Sequence, residues 1–80
     1  MSNTRDEIIN EMPDAWARTA GQAYWYVTTV DGVPRVSLHF PRKLRWVITS
    51  ERFRYSLERT TEQVMGKATV AIDAEEPEEV

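Results

Sequence analysis

The stretch "AYWYVTTVDGVPRVSLHF", residues 23–40, decides the fold. Two alternating runs flank Asp31-Gly32, a dipeptide that tolerates the positive φ angles of a tight hairpin turn. A two-residue tip sets Val30 opposite Val33, and the other pairs follow by counting. Trp25 faces Leu38, Val27 faces Val36 and Ala23 faces Phe40. On the reverse side Tyr24 faces His39, Tyr26 faces Ser37 and Thr28 faces Arg35. One side of the hairpin is apolar; the other is aromatic, polar and basic. A slip of one residue would exchange the two sides completely.

Working outward, Pro41-Arg42-Lys43 turns the chain, after which Leu44, Trp46 and Ile48 alternate again. Phe40 opposite Leu44 puts Leu38 beside Trp46 and Val36 beside Ile48, so a third strand is expected with its apolar side in agreement. Its other side then carries Arg45 beside His39 and Thr49 beside Arg35. Ser50 and Glu51 suit the start of a second helix. Phe53, Leu57 and Val64 recur at helical spacing, and Gly66 ends the run. Phe53, Tyr55 and Leu57 also alternate with Arg52, Arg54 and Ser56, so a strand over residues 51–59 stays open. The helix is favoured because no turn residue separates Ile48 from Phe53. "KATVAID" reads as a last strand with Ala68, Val70 and Ile72 inward.

Upstream, Thr4-Arg5-Asp6-Glu7 matches a capping box, and Ile8, Ile9, Met12 and Trp16 share one helical face. Pro13 predicts a kink or two short helices, and Gly21 a stop. The expected architecture is a small two-layer α+β domain over residues 1–73, in the order α-β-β-β-α-β. Its helices lie on one face of a mainly antiparallel sheet. "AEEPEEV", residues 74–80, offers nothing to bury and is expected to be a flexible acidic tail.

Eighty residues make one domain at most. A chain of this size buries about 60% of its unfolded surface, which leaves little room for an enclosed cofactor. Without cysteine there is no disulfide. There is neither a long apolar run nor a basic-then-apolar leader, so a soluble, cytoplasmic protein with no membrane partner is expected. The net charge of −3 conceals two blocks. Arg35 to Arg59 holds seven Arg and Lys against two Glu, and Thr60 to Val80 holds one Lys against six acids.

No reaction is indicated. The serines lie outside any nucleophile motif, and a single histidine, His39, makes no metal site. The glycines at 21, 32 and 66 stand too far apart to cradle a phosphate. A non-enzymatic protein without metal or cofactor is therefore expected.

The candidate site is the polar side of the sheet. Tyr24, Tyr26, Arg35, His39 and Arg45 share it, Arg42 and Lys43 form its rim, and Arg52 or Arg54 lies beyond the third strand. Aromatic rings interleaved with guanidinium groups are how sheets hold single-stranded nucleic acid. The expected function is a small binding protein that engages a nucleic acid or nucleoprotein complex. Against this stands a plain reading, in which Tyr–His and Thr–Arg pairs merely stabilise an exposed sheet, by about 0.2–1 kcal/mol each. The net negative charge opposes indiscriminate DNA binding and fits better with a protein surface, a nucleoprotein, or a tail that folds over its own basic patch. Three Trp, three Tyr and two Phe are generous for so small a core, which leaves a shared homodimer surface open.

Two resemblances bear on function. In style, though not in motif, a small charge-blocked chain of this kind resembles the inhibitors carried by phages, such as anti-CRISPR proteins. In motif, "AYWYVTTVDG", the Gly-x-Pro-Arg-Val strand at 32–36, Thr49-Ser50 before a helix, and "ATVAID" at 68–73 resemble the N-terminal half of the pyridoxamine-phosphate-oxidase-like, flavin-binding split barrels. That resemblance implies a dimeric flavin or nucleotide binder, with Arg35, Thr49, Ser50 and Arg54 nearest the flavin phosphate.

Overall fold

A computed structural model describes residues 3–78. Pro13 lacks an amide hydrogen and crowds the preceding turn, and it splits the first helical stretch in two. Helix α1 runs Thr4–Glu11 and α2 runs Asp14–Ala20. The cap of α1 lies one residue earlier than the capping box predicts. The Asn3 side chain accepts from the Asp6 amide at 3.3 Å, and Thr4 is already helical. Asparagine is at least as good a cap as threonine, so the shift has no cost.

The hairpin forms in the expected register. β1 (Tyr24–Val30) and β2 (Val33–Phe40) are antiparallel, with Val30 opposite Val33, Trp25 opposite Leu38 and Tyr24 opposite His39. Asp31 and Gly32 have φ angles of 53° and 79°, which the right-handed twist of a two-residue hairpin requires. The Trp25 indole Nε1 donates to the Ala20 carbonyl at 2.8 Å and ties the start of β1 to the end of α2.

The expected third strand does not form. Residues Arg42–Thr49 are a 3-10 helix, kinked at Leu44. Its apolar contacts follow helical spacing: Val47 is fully buried, and Leu44 and Ile48 pack against the core. Trp46, expected in the core, is 50% exposed. Ser50 then caps α3 (Glu51–Met65), accepting from the Phe53 amide at 3.2 Å, so residues 51–59 are helix. Gly66, at φ 77°, ends it.

The place beside β2 is taken instead by β3, Thr69–Ala74, which runs parallel to it. The sheet order is β1-β2-β3, with one antiparallel and one parallel pair. A parallel neighbour needs a long crossover, and the 3-10 segment plus α3 supplies it. The α+β class and the two-layer arrangement are as expected. The core lies between layers: Val36, Leu38 and Phe40 from β2 and Ile72 from β3 meet Ile8, Met12, Val47, Phe53 and Leu57. Phe53 joins them, edge-on to Phe40 at 5.7 Å and to Trp16 at 5.8 Å.

Candidate functional site

With the helices on one side, no element among the described residues covers the other side of the sheet. Leu38 and its partner Ile72 are buried toward the helices, so alternation turns Ser37, His39, Ala71 and Asp73 the other way. Three rows cross this face. Thr28, Arg35 and Thr69 form one, Tyr26, Ser37 and Ala71 the next, and Tyr24, His39 and Asp73 the last. The middle row ends in two small residues, so Ser37, itself buried, and the half-buried Ala71 make a low floor beside the Tyr26 ring. Tyr24 is 68% exposed, and its ring centroid lies 5.8 Å from that of Tyr26 at a tilt of 37°. The two rings form an aromatic wall along the floor.

The charges on this face are few. The Arg35 Nε donates to Thr69 Oγ1 at 3.4 Å. His39 Nδ1 lies 2.7 Å from Asp73 Oδ1, with both side chains largely in solvent. A carboxylate therefore stands where sequence reasoning put Arg45. An exposed pair of this kind adds little stability, but it removes much of the positive field that was expected beside His39.

The rim residues are used differently from the expectation. Arg42, Lys43 and Arg45 sit on the 3-10 segment, off the sheet face. Arg42 Nε donates to the Glu76 carbonyl at 2.8 Å and its Nη2 to Glu75 Oε1 at 3.4 Å. Arg45 Nη1 donates to the carbonyls of Ala74 and Glu75 at 3.4 and 3.1 Å, and its Nη2 lies 3.9 Å from Glu76 Oε2. The Glu75 amide donates to the Phe40 carbonyl at 2.9 Å. The two arginines thus clamp the chain as it leaves β3. Lys43 is exposed and takes no part in the ion pairs among the described residues.

Arg52 and Arg54 lie on α3, in the helical layer. Arg52 lines a groove of about 460 Å³ with Trp16, Tyr55 and Arg59, and Arg54 is half-buried. In that groove the Arg59 guanidinium stands 5.7 Å from the Tyr55 ring centroid and donates to its hydroxyl at 3.2 Å. The nine expected residues therefore divide among three places: four on the sheet face, three on the 3-10 segment and two on α3. The positions singled out by the split-barrel resemblance divide as well. Arg35 is on the open face, whereas Thr49, Ser50 and Arg54 belong to the junction of the 3-10 segment with α3.

Sequence reasoning missed Thr69, Ala71 and Asp73 as members of the face. "TVAIDA" does alternate, but its neighbour in the sheet cannot be read from a local pattern. It also missed the groove, whose walls come from α3 and from the α1–α2 junction with Trp16. Among the described residues no cluster of His, Asp and Glu is placed to hold a metal ion. Nor is any helix among them long and apolar enough to cross a membrane. Comparison with protein-family models, with curated proteins and with solved structures finds no match for the chain.

Proposed function

We propose that this is a non-enzymatic binding protein whose helix-free sheet face engages single-stranded nucleic acid, either free or displayed on a nucleoprotein complex. One observation carries the reading: Tyr24 and Tyr26 stand exposed, side by side, along the small-residue floor of Ser37 and Ala71. An unstacked base has a flat face to match such rings, and each stacked base contributes about 1–3 kcal/mol. Arg35 lies in the adjoining row and is the cation placed to meet a phosphate.

The same geometry defines a particular kind of binding. Asp73 places a carboxylate beside His39, and Arg42 and Arg45 are occupied by the chain after β3. Stacking therefore dominates and charge contributes little. Duplex DNA, which hides its base faces and is held mainly through phosphates, is a poor ligand for this surface. Two stacked bases give roughly 2–6 kcal/mol, which corresponds to a dissociation constant from tens of millimolar to tens of micromolar for one chain.

The test is titration of short single-stranded and duplex oligonucleotides at two salt concentrations, read by fluorescence anisotropy. The expected result is single-strand binding with a shallow salt slope, near one released counterion. Tyr24→Ala combined with Tyr26→Ala abolishes it while circular dichroism stays unchanged, because both rings are on the surface. Absence of single-strand binding at millimolar protein, or binding untouched by the double substitution, overturns the reading.

A further inference from the structure

β1 is an edge strand, and β2 is its neighbour in the sheet. Its seven residues, YWYVTTV, include no charge, no proline and no glycine. Edge strands in soluble proteins are normally protected by lysine, proline, a bulge or a covering segment, since their free backbone groups are a template for pairing. The other edge is protected. β3 carries Asp73, the 3-10 segment packs against it, and Arg45 binds the carbonyl at its end. Among the described residues β1 has no such device, which sets that strand apart.

The backbone of β1 decides which groups are free. The φ angles at Asp31 and Gly32 make the tip a type I′ turn, which closes on Val30 and Val33 as a hydrogen-bonded pair. Antiparallel pairs alternate, so Thr28, Tyr26 and Tyr24 direct their amides and carbonyls to β2. Those of Trp25, Val27 and Thr29 point to the open edge.

We infer that two copies of this chain pair through β1, antiparallel and centred on Val27, so that two three-stranded sheets become one of six strands. Val27 is the midpoint of the seven-residue strand, and its backbone groups are among the free ones. A two-fold axis there brings the whole of both strands into register. Trp25 meets Thr29 of the partner subunit, Tyr26 meets Thr28 of the partner subunit, and Tyr24 meets Val30 of the partner subunit. Each is an aromatic residue against a β-branched one, a combination worth about 0.2–1 kcal/mol per pair in sheets. The Trp25, Val27 and Thr29 positions exchange about six backbone hydrogen bonds across the axis.

Charge argues for a second copy over a different protein. The chain has a basic block and an acidic block, and a partner recognised by charge would be drawn to those. β1 offers none, and its pattern is complementary to itself. Val27 is 48% exposed on the helix side of the sheet, where no element among the described residues covers it; at the axis it meets its own copy. A strand pair of this length buries less than the roughly 1,200 Å² of a standard stable interface, so the dimer is reversible. The inference stands apart from whatever the open face binds.

Sedimentation of the full chain from about 1 μM to about 1 mM tests it. The expected result is a monomer–dimer equilibrium, with the dissociation constant raised at least about tenfold by Val27→Lys, which sets two ammonium groups at the axis. Thr29→Lys, checked as folded by circular dichroism, takes its place if Val27→Lys does not fold. Hydrogen exchange then locates the contact. The amides of Trp25, Val27 and Thr29 gain protection as concentration rises, while those of Tyr24, Tyr26 and Thr28 do not change. A monomer at the highest concentration, a dimer indifferent to the folded lysine variant, or protection that does not follow concentration at these amides overturns the inference.

Discussion

β2 and the 3-10 segment after it are each eight residues long, and both alternate apolar with polar side chains. β2 buries Val36, Leu38 and Phe40 at a period of two. The 3-10 segment turns Val47 fully inward, with Leu44 and Ile48 beside it at spacings of three and four. What separates them is the supply of backbone partners. β2 has β1 on one side through a two-residue turn and β3 on the other through the crossover. The place beside β2 that the 3-10 segment would have taken is occupied by β3. The segment satisfies its amides locally instead, and local bonding imposes helical spacing on its apolar residues. Alternation is therefore a permissive signal for a strand; pairing along a neighbouring strand is what makes one.

The strongest way to break this contrast is at the centre of β2. Phe40 is fully buried and packs edge-on against Phe53. Phe40→Ala should cost about 3–5 kcal/mol, the usual range for an emptied aromatic site. A chain of this size has a total stability of roughly 4–12 kcal/mol, so the variant should be near unfolding. Urea denaturation followed by circular dichroism measures the loss. A cost below about 1 kcal/mol is incompatible with β2 as the spine of the core.

The second prediction sharpens the contrast from the other side. Val47 lies in the 3-10 segment and is fully buried, though strand alternation places it outward. Val47→Ala should cost about 2 kcal/mol by the same denaturation measurement, within the range for removing methyl groups from a packed site. If this cost is negligible, the segment is packed as a strand with its other side inward.

The two regions also show why some of the molecule was legible and some was not. The hairpin was read from Tyr24 opposite His39 to Val30 opposite Val33, with only the expected Ala23–Phe40 pair outside the ladder, because Asp31-Gly32 and its flanking runs carry the turn, the register and the two faces within 17 consecutive residues. Pro13 and Ser50 were equally local, and the chain breaks and caps where they predict. The third sheet position depends on a choice between two alternating segments more than 20 residues apart, and no local rule makes that choice. Leu44, Val47 and Ile48 did carry a competing helical spacing, which was the available clue. The candidate face inherits this division. Tyr24, Tyr26, Arg35 and His39 share one side, as hairpin counting required. Asp73 was invisible, since it arrives with β3. Arg42 and Arg45 were read as free basic groups of the site, and the acidic segment as a flexible tail; a tail folded over the patch was only one of three readings of the charge, and most of the bonds that hold residues 74–76 run to backbone carbonyls.

The smallest expected effect is the most discriminating. Trp46 would be a core residue if the 3-10 segment were a third strand, and its removal would then cost about 3–5 kcal/mol. Half of its surface is in water. A half-exposed ring that fills no enclosed space should cost no more than about 1 kcal/mol when cut to alanine. Trp46→Ala therefore ranks below Val47→Ala, although tryptophan is much the larger side chain. Fluorescence gives an independent reading. Trp16 packs edge-on against Phe53 and Trp25 is bonded to the Ala20 carbonyl, so Trp46 should account for most of the emission that iodide quenches. Loss of that quenchable fraction in Trp46→Ala, with the urea midpoint little changed, is the result expected of an exposed helical position. A large stability loss with the quenchable fraction intact would instead place Trp46 against the sheet, and β2 and the segment after it would then be alike after all.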